Sequence, residues 1–263
     1  MTNPYNTITF YIKNNIAWLS LNRPEVHNAM NEEMITELTT VFNSFINDQS
    51  TRAIVLAGHG KSFCAGADLN YMKSIATLGY DENVKDGKKL ANLFNSIYSC
   101  PIPTVANIHG SVFGGANGLI AACDIVIAEQ STNFAFSEVK LGIAPATIAP
   151  FVIKRIGEFG AKELMLTGKR FKAKEALKWN LVNHVYDSQK EENPLSDILK
   201  QFESSAPGAV KETKILIKTI LEKDIDEGIE FTSNLIAKLR ASDEGQEGMA
   251  SFLEKRKVNW VSQ

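Results

Sequence analysis

The sequence of 263 residues has little cysteine and no excess of charge of either sign. Its three cysteines, Cys64, Cys100 and Cys123, are an odd number without a CxxC spacing. This pattern argues against a disulfide framework and a structural zinc site, and it favours a reducing compartment. The formal net charge is only -2. We therefore expect no nucleic-acid partner, because such partners require a basic surface.

Long apolar runs and targeting signals are missing as well. No apolar stretch is long enough to span a bilayer, so no membrane partner is expected. The opening residues MTNPYNTITFYIKNN lack the basic stretch and apolar run of a secretory signal. These absences predict a cytoplasmic protein. The 44% of hydrophobic residues and 22% of charged residues are typical of one large globular domain, with room for a small appendage.

Strand and helix patterns alternate along the first part of the chain, which predicts the α/β class. Two β-rich runs joined by Lys13-Asn14-Asn15 indicate a hairpin, and apolar residues at helical spacing follow from Asn31. The run AIVLAG is typical of a strand inside a parallel sheet. Strand patterns become scarce after about Ala146, and nearly everything after Pro207 has a helical pattern. We expect a core of residues 1–190 and a helical C-terminal region of residues 191–263.

Several familiar functional motifs fail. The stretch GHGKS resembles the end of a phosphate-binding loop, but Val55 stands where that motif needs a glycine. The chain has no GxGxxG, no GxSxG and no HExxH, and its four histidines are scattered. We therefore expect no metal.

Two loops rich in small residues remain, and each follows an apolar strand. They are FCAGADL, Phe63 to Leu69, and GGANG, which begins at Gly114. Ligands of α/β sheets bind beyond the carboxyl ends of strands, where small residues let backbone N–H groups approach them. Two N–H groups that converge on one oxygen would form an oxyanion hole. The alternative is that these glycines serve tight turns and close packing.

The third element is the stretch NFAFSEVKLG. We predict a strand in which Phe134, Phe136 and Glu138 point the same way, because side chains alternate along a strand. A carboxylate beside two phenyl rings would be partly desolvated and suited to proton transfer. The alternative is a glutamate at a strand end that points into solvent.

These three elements, in this order, resemble the crotonase family, also called enoyl-CoA hydratase/isomerase. The resemblance covers nearly the whole chain. The matching stretches are LNRPEVHNAMNEEM, KSFCAGADL, PTVANIHGSVFGGANGLIAACDIVIA, FAFSEVKLGI, LTGKRFKAKEALKWNLVNHV and DEGQEGMASFLEKRK. It implies a crotonase-like spiral of ββα units with a helical C-terminal trimerisation region. It also implies self-association as a homotrimer or a dimer of trimers.

The resemblance further implies an enzyme that acts on an acyl-CoA. Glu138 would be the catalytic acid/base, and the N–H groups of Ala67 and Gly115 would form the oxyanion hole. Coenzyme A enters as part of the substrate, and no metal or redox cofactor is implied. The residues that would contact the substrate or coenzyme A, with the last two completing the site of a neighbouring subunit, are Ala65, Asp68, Leu69, Gly114, Gly118, Phe252 and Lys255.

Two departures from the family pattern narrow the expected substrate. Gly118 stands where family hydratases with two catalytic glutamates carry one of them, and APATIAPFVIKRIG replaces PGAGGTQRL. At both places the sequence resembles that of 3-methylglutaconyl-CoA and isohexenylglutaconyl-CoA hydratases. Loss of the glutamate would leave room for a branch at C3 and would remove a charge that repels a distal carboxylate.

The favoured interpretation is hydration of the 2,3 double bond of a branched, glutaconyl-type enoyl-CoA. One alternative is a double-bond isomerase, because one glutamate suffices to shuttle a proton between two carbons. The other is a non-catalytic protein that binds acyl-CoA or RNA.

Overall fold

The structure is a computed structural model that describes residues 4–261. The chain forms two compact units. The first contains the residues up to Cys100 and Thr104–Leu195, and the second contains Pro101–Pro103 and the residues from Ser196 onward. Strands and helices are mixed in the first unit, and the second is helical. The predicted α/β class with a helical C-terminal region is therefore confirmed.

The strands of the first unit form two sheets. In chain order they are β1 (Ile8–Lys13), β2 (Ile16–Leu21), β3 (Ala53–Gly58), β4 (Thr104–Ile108), β5 (Ser111–Phe113), β6 (Ile125–Glu129), β7 (Asn133–Ala135), β8 (Arg170–Lys172) and β9 (His184–Tyr186). The larger sheet has the order β1-β2-β3-β4-β6-β9, and the smaller has the order β5-β7-β8. The short strands β8 and β9 lie in the part of the chain where the sequence predicted mainly helix.

The larger sheet begins with the predicted hairpin. Strands β1 and β2 are antiparallel, and Asn14 and Asn15 between them have φ of 52° and 58°. Two successive residues with positive φ are the requirement of a tight hairpin turn, and asparagine tolerates this conformation well. The other neighbouring pairs of this sheet are parallel. Their carboxyl ends therefore lie at one edge, the edge where ligands of such sheets bind.

The smaller sheet decides the geometry of the candidate site. Strands β5 and β7 are parallel, with Phe113 opposite Ala135, and β8 runs antiparallel to β7. Because β5 and β7 run the same way, the residues that follow them emerge at the same edge. Gly114 follows β5, and the segment with Glu138 follows β7.

Within residues 4–261, six α-helices accompany these sheets. They are α1 (Glu32–Ser44), α2 (Leu69–Ile75), α3 (Tyr80–Tyr98), α4 (Ala116–Ala122), α5 (Ala149–Thr167, interrupted at Gly157) and α6 (Ala173–Lys178). Helix α1 was predicted from the apolar spacing after Asn31 and is confirmed. The side chain of Asn31 caps it by accepting a hydrogen bond from the N–H of Met34. All seven residues of α4 are buried. Helix α2 was not predicted, because it is short and its sequence, LNYMKSI, has no buried residue.

The second unit contains most of α7 (Leu195–Ser204) together with α8 (Pro207–Ile220), α9 (Ile225–Ala241) and α10 (Asp243–Glu254). Glu244 of α10 accepts hydrogen bonds from the N–H groups of Gly208 and Ala209, each at 2.9 Å. This carboxylate therefore satisfies free donors at the start of α8 and stabilises the positive end of that helix. Large apolar side chains are exposed on this unit, among them Ile217, Leu221, Ile225, Ile229, Phe252 and Leu253.

Candidate active site

Short parallel bridges bring the two loops rich in small residues together. Cys64 pairs with Val112 of β5, and Met30 pairs with Ala67. The N–H of Phe113 donates to the Cys64 carbonyl, and the N–H of Cys64 donates to the Ser111 carbonyl. The loop that begins at Cys64 therefore runs beside β5 and in the same direction. Ala67 follows Cys64 and Gly115 follows Val112 by the same number of residues, so both lie past the bridge on the same side.

The N–H groups of Ala67 and Gly115 have no acceptor within residues 4–261. Their neighbours do: Gly114 donates to the Ala135 carbonyl at 2.9 Å, and Asp68 donates to the Met30 carbonyl at 2.8 Å. Ala67 is exposed and Gly115 is half-buried, so a ligand can approach both. The arrangement thus holds two free donors on two adjacent loops, each beside a residue whose N–H is hydrogen-bonded to a backbone carbonyl.

A glycine precedes each of these donors. Gly66 and Gly114 have φ of +103° and +51°, in the region that side chains disfavour. A Cβ at Gly66 would lie 3.1 Å from the Phe113 carbonyl oxygen. These conformations turn the chain immediately before Ala67 and Gly115. The glycines therefore serve tight turns, as one interpretation of the sequence held, and these turns lead directly into the two free donors.

Glu138 lies beside the glycine loop. A Cβ at Gly114 would be only 3.4 Å from Oε1 of this carboxylate. Its other oxygen, Oε2, is buried and has no hydrogen-bond partner in the described part of the chain. Burial raises the pKa of Glu138, and its own backbone N–H offsets part of that increase. A half-buried carboxylate with a raised pKa and an unsatisfied oxygen is suited to accept and return a proton.

The prediction that one strand carries Phe134, Phe136 and Glu138 is wrong. Strand β7 ends at Ala135, and Ser137–Leu141 form a 3₁₀ helix. The partner strand β5 ends opposite Ala135 and the chain then turns at Gly114, so no ladder continues beyond this point. Phe134 and Phe136 are instead completely buried and stack on Phe171, with centroid distances of 5.4 and 6.2 Å.

The space expected at Gly118 is absent. Gly118 is buried in α4, and a Cβ there would lie 2.5 Å from Cγ2 of Ile148 and 2.7 Å from Cζ of Phe94. Both side chains are almost fully buried. The volume that a glutamate side chain would need is occupied by the core. The steric reason for a branched substrate is therefore wrong, whereas the missing negative charge remains a property of the site.

Asp68 is held by protein groups. Its carboxylate accepts hydrogen bonds from the N–H groups of Asn70 and Tyr71 at the start of α2, and it lies 3.0 Å from Arg23 Nη2. Burial alone would raise the pKa of Asp68, but these amides and the Arg23 guanidinium bring it below its ordinary value. The side chain thus stabilises the loop that ends with Ala67.

The other predicted contact residues divide between the two units. In the first, Ala65 is half-buried and donates its N–H to the His27 carbonyl at 3.0 Å, and Leu69 has an exposed side chain. In the second, Phe252 and Lys255 lie at the end of α10 and are both exposed.

Met30 was not singled out by sequence reasoning, although it belongs to the quoted stretch LNRPEVHNAM. A Cβ at Gly115 would lie 2.8 Å from its Cε, so this buried side chain packs against one of the two free donors. The available signal was its place in that stretch, but only the bridge to Ala67 shows its role. The structure also shows no cluster of three His, Cys, Asp or Glu side chains suited to a metal within residues 4–261.

Known proteins are similar to this chain in sequence and in fold. The enoyl-CoA hydratase/isomerase family profile matches residues 11–263. The chain belongs to this family. It is similar to the short-chain-enoyl-CoA hydratase of Clostridium acetobutylicum, with 32% identity over 96% of this chain and 97% of the relative. It is also similar to the mitochondrial Delta(3,5)-Delta(2,4)-dienoyl-CoA isomerase of Dictyostelium discoideum, with 32% identity over 92% of this chain and 86% of the relative.

Among solved structures, AtuE of Pseudomonas aeruginosa superposes on this chain with a TM-score of 0.94 at 33% identity, covering 98% of this chain and 100% of AtuE. The crotonase fold predicted from the sequence is thus confirmed. The chain is an enzyme of the enoyl-CoA hydratase/isomerase family and acts on acyl-CoA thioesters. The described residues contain no helix that is both long and apolar enough to cross a membrane.

Proposed function

We propose that this family member adds water reversibly across the 2,3 double bond of a branched, glutaconyl-type enoyl-CoA such as 3-methylglutaconyl-CoA. The observation that carries the proposal is the half-buried carboxylate of Glu138. Its Oε2 has no partner within the described chain, and its Oε1 lies beside Gly114, one residue before a free N–H. A proton carrier next to an oxyanion donor is the minimum that this chemistry requires.

In this proposal the thioester oxygen accepts hydrogen bonds from the N–H groups of Ala67 and Gly115. Addition of water to C3 moves electron density onto that oxygen and produces an enolate. Donors that are already oriented stabilise this charge without reorganisation, which is why they favour the transition state over the substrate. These two N–H groups have no acceptor among the described residues, which supports the assignment.

Glu138 accounts for both proton movements. The water oxygen bonds to C3 while its proton passes to the ionised carboxylate, and the carboxyl group then gives a proton to C2. The sum is one water added, with Glu138 returned to its starting state. Because burial raises the pKa of this group, its carboxylate is a stronger base than an ordinary glutamate, so the first transfer, from water to Glu138, is easier.

The substrate class is inferred from charge. Position 118 carries no carboxylate and is enclosed by Phe94 and Ile148. A distal carboxylate on the substrate therefore meets no negative charge from this position. We further propose that this substrate carboxylate helps to hold the attacking water, which has lost its second protein carboxylate. Replacing the substrate carboxylate by its methyl ester is then expected to lower the rate of the wild type by a factor comparable to that lost in Glu138→Gln.

A double-bond isomerase is the second candidate, and the single carboxylate favours it. Moving a double bond requires one proton to leave a carbon and one to arrive at another, which one glutamate can do. The similarity to a dienoyl-CoA isomerase at 32% identity is compatible with this candidate.

The same proposal includes assembly into trimers or pairs of trimers. The exposed apolar side chains of the second unit, such as Leu221 and Ile225, support it, because a monomer would leave them in water. Phe252 and Lys255 would then contact the coenzyme A bound to a neighbouring subunit.

The test compares crotonyl-CoA, 3-methylglutaconyl-CoA and a 3-enoyl-CoA as substrates of the wild type and of Glu138→Gln. We expect 3-methylglutaconyl-CoA to be hydrated fastest, and Glu138→Gln to lower kcat about a hundredfold or more with little change in binding. The surface variant Glu158→Gln, which removes an exposed ion pair with Lys162, serves as the control. Faster conversion of the 3-enoyl-CoA would favour the isomerase, and full activity of Glu138→Gln would refute the mechanism.

A further inference from the structure

Asn117 is a buried polar side chain that the proposed mechanism does not use. It is the second residue of α4, directly after the glycine loop, and it has no exposed surface. Its side-chain nitrogen Nδ2 lies 2.9 Å from the Ala135 carbonyl oxygen, 3.1 Å from that of Gly114 and 3.4 Å from that of Val112. All three neighbours are acceptors, so they determine which end of the amide faces them.

The three carbonyls belong to the two segments that carry the candidate chemistry. Val112 and Gly114 precede the free N–H of Gly115, and Ala135 is the last residue of β7, just before the turn with Glu138. One side chain therefore connects the loop of a proposed oxyanion donor to the segment of the proposed acid/base. Its interior position makes each of these hydrogen bonds stronger than it would be in water.

The bonds from Nδ2 are not needed to satisfy two of these carbonyls. The Gly114 carbonyl already accepts the backbone N–H of Asn117 at 2.9 Å, and the Ala135 carbonyl already accepts the N–H of Gly114 at 2.9 Å. Loss of the side-chain donor would leave both acceptors partnered, so the cost to folding is smaller than for a sole partner. What the side-chain donor adds is a second connection between the two segments, beside the backbone hydrogen bond from Gly114 to Ala135.

We propose that Asn117 is a positioning residue that holds the Gly115 donor in register with the Glu138 carboxylate. This inference rests on the proposed function of those two groups. Catalysis depends on placement to within a fraction of an ångström, and a displacement of about 1 Å can cost about a hundredfold in rate. Replacing a residue that only stabilises the fold would lower the melting temperature without changing the turnover of the folded enzyme.

Two variants separate the hydrogen bonds. Asn117→Leu keeps the shape of the side chain and removes the donor. Asn117→Ser can still donate to the Gly114 carbonyl three residues earlier, as serine does in helices, but is too short to reach Ala135. The control is Thr104→Val. Thr104 begins β4, at the edge of the larger sheet opposite to the carboxyl ends of its parallel strands, and its buried hydroxyl is hydrogen-bonded to Asp124.

The melting temperature of each variant is measured first. Three quantities are then measured on folded protein: kcat for hydration of 3-methylglutaconyl-CoA, the dissociation constant of butyryl-CoA, and the infrared carbonyl stretch of bound butyryl-CoA labelled with carbon-13 at the thioester. This saturated thioester cannot add water and reports polarisation by the oxyanion donors alone. For Asn117→Leu and Asn117→Ser we expect kcat to fall to about a tenth of the wild-type value or below. We expect dissociation constants within about threefold of wild type and a carbonyl stretch shifted toward its value in water. Thr104→Val is expected to lower only the melting temperature.

A folded Asn117→Leu with wild-type kcat and an unchanged carbonyl stretch would overturn the inference. Should that variant fail to fold, Asn117→Ser with wild-type values would overturn it equally. A wild-type enzyme that binds butyryl-CoA without any shift of the carbonyl stretch would instead refute the oxyanion assignment on which the inference rests.

Discussion

Replacing Gly115 by proline removes one N–H and leaves the surrounding backbone almost unchanged. Proline fixes φ near −65°, within about 15°, and Gly115 has a φ of −54°. The residue immediately precedes α4, and proline is well tolerated where a helix begins. Its N–H has no acceptor within residues 4–261, so no internal hydrogen bond is lost.

The expected effect is large on catalysis and small on stability. Loss of one oxyanion donor typically lowers kcat about 10²- to 10³-fold, equivalent to about 2.7–4 kcal/mol of transition-state stabilisation. Proline also restricts the unfolded chain, which adds about 0.4–1 kcal/mol to the free energy of unfolding. A part of that gain is offset, because the new Cβ would lie 2.8 Å from the Cε of Met30 and must displace this flexible tip.

The control is Gly115→Ala, which creates the same contact with Met30 and keeps the N–H. The assay is hydration of 3-methylglutaconyl-CoA, together with melting temperature and circular dichroism for both variants. We expect the alanine variant to retain most of the wild-type kcat and the proline variant to lose about a hundredfold. A folded proline variant that turns over as fast as the alanine variant would refute the assignment of Gly115 as an oxyanion donor.

Three further predictions concern packing, charge and assembly. Gly118→Ala is expected to lower the free energy of unfolding by about 1–3 kcal/mol because it overpacks against Phe94. Gly87→Ala, whose Cβ would lie 3.9 Å from the nearest side chain, is expected to raise it by about 0.4–1 kcal/mol, and equal effects in denaturant titrations would contradict the packing described. The pKa of Asp68 is lowered in the folded state, so its charge stabilises the protein above its ordinary pKa of 3.8 and this stabilisation is lost as the pH falls through the lowered value. The free energy of unfolding of the wild type is therefore expected to exceed that of Asp68→Asn by about 1.5–3 kcal/mol at pH 7, and this difference is expected to vanish in acid. A difference that is independent of pH would exclude the ionic contribution. Light scattering is expected to give a mass that is a multiple of three chains, and an active monomer would contradict the proposed assembly.

Local patterns in the sequence were sufficient for most of the elements and for the two loops. The apolar periodicity after Asn31 predicted α1, and the run AIVLAG predicted β3, because each burial pattern is a local property of consecutive residues. The glycines at positions 66 and 114 indicated backbone conformations that side chains disfavour, and both have positive φ. The order of several such stretches identified the family.

Two features of the site depended on residues that are distant along the chain. Glu138 lies beside Gly114 only because β5 and β7 pair in parallel with Phe113 opposite Ala135, and this register also ends the strand before the glutamate. A strand pattern read from NFAFSE alone carries no information about where its partner stops.

Gly118 shows the same limit more clearly. The sequence established that a carboxylate is missing at this position, and the charge argument follows from that fact alone. Whether the missing side chain leaves a cavity was decided by Phe94 and Ile148, which come from other segments and fill the volume. Packing brings together side chains that are far apart in sequence, and interiors leave few voids, so only the tertiary structure determines which space stays open.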